Sequence, residues 1–427
     1  MNPIRRLVPN RWARLLLAGA LLTVAAVVLG RQAWAYSEFR AAQREAARYK
    51  LDAAQTHLTE CLKIWGARSS VWALAGQVAR RREAYDEAER YLAEAQKRSG
   101  GVAGEDVLLE RVLLQAQLDP DAKLEYLRSL VLADHPQSAL IMEAMTRGFL
   151  RKNRYSDAGF VLEKWLERTP DDVYALFCRG WVRDQLGPRV QAIDDYQRVL
   201  ELDPDHDEAR LRLARLLIEM ARPSDALATA RPLAAKHGGE PKILVLLAEC
   251  EAAVGNRAAA EAAARAALAI DPAFDDALAV LGATLFDAEQ FAEAERALRE
   301  AVRVRPSHYQ AHLTLHRLLV ATGRTGEAAK VKVTLDQMAR DITRMRDIFA
   351  LEFAKTPKNA ALYREVGAIF LRAGEVAKGL QWLTDAEKLD PDSPEIHRDL
   401  AAAYARLGNR ERAEYHKRKG GATPPAP

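Results

Sequence analysis

The sequence predicts an all-α chain of stacked helical hairpins, and three observations carry that expectation. Loop prolines recur at Pro170, Pro204, Pro272 and Pro306, spaced by 34, 68 and 34 residues. Small and large apolar residues recur on the same 34-residue grid, the mark of a repeat array in which each unit buries its faces against its neighbours. Composition agrees: 49% of residues are hydrophobic, 29% are charged and few are aromatic, with the alanine, leucine, arginine and glutamate that helices favour. By length alone, 427 residues would suggest two or three ordinary domains. A repeat accounts for the same length differently.

The N-terminus stands apart from the array. In "MNPIRRLVPNRWARLLLAGALLTVAAVVLGRQAWAYSEF" Arg5, Arg6, Arg11 and Arg14 precede a run of 16 uncharged residues, Leu15 to Gly30. That is just short of the roughly 17–25 residues of a membrane span. Snorkelling of Arg14, with Trp12, Trp34 and Tyr36 near the interfaces, extends it to a full crossing. Residues 1–35 therefore read as a cytoplasmic stub and signal-anchor segment. The arginines hold the stub in the cytoplasm and send all that follows across the membrane. With the alanine- and arginine-rich composition, this places a single-pass protein in a bacterial inner membrane, repeats on the extracytoplasmic side. The alternative is cleavage after Ala35, since Ala33-Trp34-Ala35 forms an A-x-A site, leaving a soluble periplasmic protein.

The repeat explains one stretch in detail, "LAVLGATLFDAEQFAEAERAL" at 278–298. With Asp275 as position 1, Leu278, Leu281, Gly282 and Leu285 fall at positions 4, 7, 8 and 11, and Ala294, Leu298, Ala301 and Pro306 at 20, 24, 27 and 32. The segment from Val173 places Leu176, Gly180, Ala192, Tyr196 and Pro204 on that grid, and the one from Pro241 places Leu244, Ala248, Ala260 and Pro272 there. Small residues at 8 and 20 let the two helices of a unit approach closely, while larger ones at 4, 7, 11 and 24 fill the surrounding space. Units begin at Ala35, Ser69, Ala139, Val173, Asp207, Pro241, Asp275, Tyr309, Ala360 and Pro394, with a degenerate unit near 103–138. This pattern resembles the tetratricopeptide repeat family. The resemblance covers nearly everything after the apolar segment and implies a right-handed superhelical solenoid of about eleven helix-turn-helix units.

Apart from the degenerate stretch, which runs two residues long between Ser69 and Ala139, the grid slips once. After Tyr309 the next unit should begin near 343 but begins at Ala360, 17 residues late. Between Gly326 and Pro357 lies neither glycine nor proline, and Val331, Leu335, Met338, Ile342, Met345 and Phe349 alternate spacings of four and three. That is an apolar seam on one long helix. It either packs on the following repeat or serves as a docking or self-association face. The expected organisation is thus repeats over 36–335, an extended helix over 336–359, repeats over 360–417, and a disordered tail, "KRKGGATPPAP", over 418–427.

The chain shows little that points to catalysis. It has no Walker A loop, no dinucleotide fingerprint and no G-x-S-x-G, so no catalytic residue and no cofactor is expected. Net charge is +4 without a basic block interleaved with aromatics, which disfavours nucleic acid as a partner. Cys61, Cys178 and Cys250 have no metal or disulfide spacing and read as buried small hydrophobes. His308, His312 and His316 stand one helical turn apart, a metal-compatible spacing. Yet His312 and His316 occupy core positions with no accompanying cysteine or carboxylate, so no metal site is predicted. The Asp-Pro pairs at Asp203, Asp271 and Asp390 read as turns between units.

Binding is the expected activity. In the family the first helix of each unit lines a concave groove through positions 2, 5, 9, 12 and 13. On this chain the resemblance places Tyr174, Phe177 and Trp181 in the groove, a cluster of the kind that anchors interfaces. It adds Leu140, Arg147, Leu211 and Arg215 from neighbouring units. Arg364 and Arg398 at position 5, with Arg372 and Arg406 at position 13, form a strip able to hold carboxylate or phosphate. The lysine-asparagine carboxylate clamp of chaperone-binding members is missing. The expected function is a non-catalytic, membrane-tethered scaffold that binds proteins or peptides and aids assembly of an envelope complex. The alternative is a binding module for an anionic polysaccharide or lipid head group held by the C-terminal arginines.

Overall fold

Residues 11–421 are described in this computed structural model, and among them every regular element is helical. Two compact units, Met1–Gly148 and Phe149–Pro427, are taken separately. Helices begin at Ser69, Val173, Asp207, Pro241, Asp275, Tyr309, Ala360 and Pro394, the residues the register predicts. Local chemistry fixes these starts. Asp172 and Asn359 accept hydrogen bonds from the amides of Ala175 and Ala361 at 2.9 and 3.0 Å, and Pro241 and Pro394 stand in the first helical turn, where no amide donor is needed. Between units, Asp203 and Asp271 turn the chain by accepting from the amides of Asp205 and Ala273.

Inside each hairpin the turn follows one rule. Position 15 has positive φ in all ten regular units, at Tyr49, Glu83, Asn153, Gly187, Ala221, Gly255, Glu289, Gly323, Gly374 and Gly408. This left-handed residue ends the first helix and reverses the chain. Hairpin packing is equally regular. A Cβ added to Gly76, Gly180, Gly282 or Gly367 would meet Leu92, Tyr196, Leu298 or Leu383 at 2.7, 2.9, 2.6 or 2.7 Å. In all four, glycine at position 8 admits the large side chain at position 24, so the two helices close to contact.

In the first unit, one helix runs unbroken from Arg11 to Ala47, so the boundary expected at residue 35 does not interrupt it. Residues 31–47 are good helix formers without proline, and the apolar segment passes directly into the first repeat helix. Its N-terminal part is exposed all round, with Leu17, Leu21, Leu22 and Leu29 each more than 60% accessible. Its C-terminal part buries Ala35, Ala42 and Ala46 against the helix Leu51–Trp65. Trp65 donates through Nε1 to Gln32 at 2.6 Å, and the Cys61 thiol lies 3.5 Å from the Ala35 carbonyl. The degenerate stretch holds helices Glu105–Leu118 and Leu124–Leu132. There the core is ionic: buried Arg80 donates to Glu110 at 2.8 Å, and buried Arg81 to Glu143 at 2.9 Å.

In the second unit, alternating helices stack around cores such as Leu281, Leu285, Leu298 and Leu318. All three cysteines, Cys61 in the first unit and Cys178 and Cys250 in the second, are buried. The late unit is preceded by a long helix, Thr325–Asp347, then a turn of π-helix, Ile348–Glu352, and a short helix, Phe353–Lys355. At the C-terminus the helix Arg410–Gly421 includes residues 418–421, which were expected in the disordered tail. Arg418 and Lys419 continue the last turn, where cations suit the helix dipole. The rest of that tail, 422–427, lies outside the described residues, as do Arg5 and Arg6 of the N-terminal stub.

Candidate functional site

The register slip creates a cleft in the second unit. Position 24 of the unit starting at Tyr309 is Lys332, which is exposed, so nothing large presses on position 8. His316 fills that place and donates through Nδ1 to the Ala328 carbonyl at 3.1 Å. Beyond it the long helix continues unpartnered along its middle. The following repeat packs on its far end, where Ile348 and Phe353 are buried with Leu362 and Val366. Between the two remains a cleft of about 830 Å³ lined by Val302, Val333, Met338, Ile342, Met345 and Phe370, with Gln337, Asp341, Arg372 and Arg406 among its polar lining. Of the seam read from sequence, Leu335 is buried, but Ile342 stays 56% accessible.

Ion pairing shapes the rim. Arg372 donates to Asp341 at 2.7 and 3.1 Å, and Gln337 donates to the same carboxylate at 3.0 Å. Arg406 donates to the Leu371 carbonyl. Outside the cleft, Arg364 donates to Asp399 at 2.7 Å and Arg398 to Glu395 at 3.1 Å. Each of the four predicted arginines has a partner within the fold, with which an anionic ligand would have to compete.

The predicted aromatic face is also occupied by neighbours. Tyr174 packs on Trp165 with ring centroids 6.1 Å apart, and Trp181 meets Tyr155 edge-on at 5.5 Å. Phe177 stacks on His206 at 4.9 Å. The Arg212 guanidinium lies 5.8 Å from the Phe177 ring and 5.9 Å from Trp181, within cation–π range. All three rings are half-buried. Leu211 is half-buried, and Arg215 is exposed with only a 4.0 Å approach to Glu249.

Leu140 and Arg147 belong to the first unit. Arg147 donates to the Arg81 carbonyl at 2.7 Å and pairs with buried Glu143. Although burial works against ionisation, Arg81, Arg80 and Arg147 together hold the Glu143 carboxyl below its usual range. Arg147 is a member of this buried network.

Each histidine of the triplet makes a hydrogen bond to the backbone. His308 caps its helix by accepting from the Ala311 amide at 3.3 Å, and its other nitrogen lies 3.1 Å from Asp276. His312 donates to the Pro306 carbonyl at 2.9 Å. The His308 hydrogen bond, opposed by burial and aided by Arg305, lowers the Asp276 carboxyl to about 2.

Helical hairpins on a recurring 34-residue grid define the class: a helical repeat protein. Residues 189–250 and 285–344 match the tetratricopeptide repeat family, so these two segments are tetratricopeptide repeats. No curated protein matches the sequence significantly. Solved structures similar to it include PilW, a widely conserved type IV pilus biogenesis factor, at 21% identity, 46% coverage of this chain, 91% of that chain and a TM-score of 0.40. YrrB, a TPR protein with an unusual peptide-binding site, matches at 19% identity, covering 43% of this chain and 94% of that one, with a TM-score of 0.37. The human IFIT1 dimer with m7Gppp-AAAA matches at 16% identity over 82% of this chain and 89% of that one, with a TM-score of 0.40.

Sequence reasoning found the long helix and its seam but missed Val302, Val333 and Phe370. These come from three helices, and only packing shows that they face one space.

Proposed function

We propose that the protein is a non-catalytic repeat scaffold, tethered to the membrane by its N-terminal helix, that holds a segment of a partner protein during assembly of an envelope complex. The reading rests on one observation: an apolar cleft beside the Thr325–Asp347 helix, with Arg372 on its rim already paired to Asp341. Such a surface suits an amphipathic segment, whose apolar side chains gain about 25 cal/mol per Å² on leaving water. Tethering is favoured over cleavage because Gln32 and Ala35 serve the first repeat, and cutting after Ala35 would remove both. Mass spectrometry of the membrane-bound chain should find no mature N-terminus at Tyr36.

The test places a photo-crosslinking residue at Ile342 in one full-length variant and at Tyr174 in another, each irradiated in native membranes. One crosslinked protein from position 342, absent when Val333 and Met338 are both changed to glutamate, is expected. A second copy of the chain as the adduct would make the long helix a self-association face. Crosslinking from position 174 alone would move the site to the aromatic face. No adduct from either would overturn the scaffold reading.

A further inference from the structure

The last helix, Arg410–Gly421, has a single buried residue, His416. An end helix that buries so little apolar surface needs another source of cohesion. His416 meets His397 of the helix Pro394–Arg406, the two Nδ1 atoms 3.0 Å apart. Glu387, near the end of the helix Val376–Leu389, brings a carboxylate oxygen within 3.7 Å of His397 Nδ1 and 3.9 Å of His416 Nδ1.

We propose that Glu387, His397 and His416 bind a divalent transition metal of the zinc class, fastening the last helix to the two before it. The lone pair of His397 is fixed by chemistry. Its Nε2 lies 2.8 Å from the Pro391 carbonyl, which can only accept, so the proton of the neutral ring is on Nε2 and Nδ1 is free to ligate. A backbone carbonyl on the far nitrogen is the usual support for a metal-binding histidine. Around a tetrahedral ion with bonds of about 2.0–2.1 Å, neighbouring ligand atoms stand roughly 3.3–3.4 Å apart. The two nitrogens are already near that spacing. Glu387, whose side chain is 28% accessible, reaches it by moving inward about half an ångström. Three protein ligands leave the fourth position to water.

The other convergent group, Asp275, Asp276 and His308, lacks these properties. Its carboxylates already pair with Arg305. His308 Nδ1 accepts from a backbone amide, which leaves Nε2 to carry the proton and donate to Asp276. His308 therefore has no nitrogen lone pair left to ligate.

The full chain, purified in detergent and stripped with a chelator, would be titrated with Co2+ and then Zn2+. One equivalent of Co2+ should bind with the intense visible absorption of a four-coordinate site and be displaced by Zn2+. Hydrogen exchange over 410–421 should slow on binding. His416→Gln should abolish the absorption, and Glu387→Gln, at a half-exposed side chain, should weaken binding about tenfold or more. Asp276→Asn should leave it unchanged. Circular dichroism on each variant separates lost ligation from lost folding. No Co2+ absorption in the wild type would overturn the proposal, leaving a histidine pair in which His416 donates to His397. Binding that survives both His416→Gln and Glu387→Gln would overturn it as well.

Discussion

At the scale of single residues, the repeat is a rule about size, and size is what sequence displays most directly. Gly282 is small because Leu298 occupies the space a Cβ would need, 2.6 Å from the leucine Cγ. Leu298 is itself fully buried and has nowhere to move. Gly282→Ala should therefore destabilise by about 1–2 kcal/mol, overpacking of ~1–3 kcal/mol outweighing the ~1 kcal/mol gained in helix propensity. Gly159, inside the helix Tyr155–Arg168, makes the contrast. Its added Cβ would meet only Val182 Cγ1 at an ordinary 3.5 Å, so Gly159→Ala should stabilise by about 0.5–1 kcal/mol. Urea denaturation of the two variants should give midpoint shifts of opposite sign; shifts of one sign would refute the contact. Conformation and hydrogen bonding are less legible. Five of the ten left-handed turn residues are glycines, but Tyr49, Glu83, Asn153, Ala221 and Glu289 adopt the same geometry without announcing it. Histidine roles are hard to read for a related reason. His206 and His308 accept from helix amides in the role usually given to aspartate. His312 and His397 donate to the carbonyls of Pro306 and Pro391, each six residues back, and Tyr363 does the same to Pro357.

At the scale of elements, the slip of 17 residues was plain because every other unit keeps time. The consequence of the slip was not. A heptad-like seam reads as a face that must be covered, yet Ile342 remains exposed because the following repeat packs on the far end of the long helix. The π-turn at Ile348–Glu352 was equally invisible, since no sequence signal marks it. It re-aims Phe349 and Phe353, so that both rings reach Trp382, with centroids 5.8 Å away. Arg344 locks this geometry by donating to Glu365 at 2.6 and 2.8 Å and pairing with Glu352. These side chains are about one-third accessible, so Arg344→Ala should cost only about 1 kcal/mol of stability after solvent screening. Its local effect should be larger. Amide exchange over 348–355 should quicken several-fold while the helix Asp275–Asp287 exchanges as before. Unchanged exchange over 348–355 would show that the rings alone hold the turn.

For the molecule as a whole, a repeat array is expected to behave as a row in which each unit feels only its neighbours. The first unit departs from this through chemistry: Arg81 donates both to Glu143, 62 residues on, and to the Ala46 carbonyl, 35 residues back. The second departs from it through topology. The π-turn reaches the helix Tyr155–Arg168, where Ser156 donates to the Ala350 carbonyl across 194 residues. Tyr155 lies 5.7 Å from Phe349, edge to face, and also meets Trp181. Phe349 thus joins helices that a nearest-neighbour row would keep independent. Phe349→Ala removes a half-buried ring, so the loss should be about 2 kcal/mol, below the ~3–5 kcal/mol of a fully buried phenylalanine. Where that loss appears decides between the two descriptions. If the long-range contact couples the array, exchange should quicken together in 155–168 and in 360–389, and urea unfolding of both segments should shift in step. If the row is independent, the change stays within 345–389 and the helix at 155–168 keeps its protection. That second result would make the contact incidental to stability.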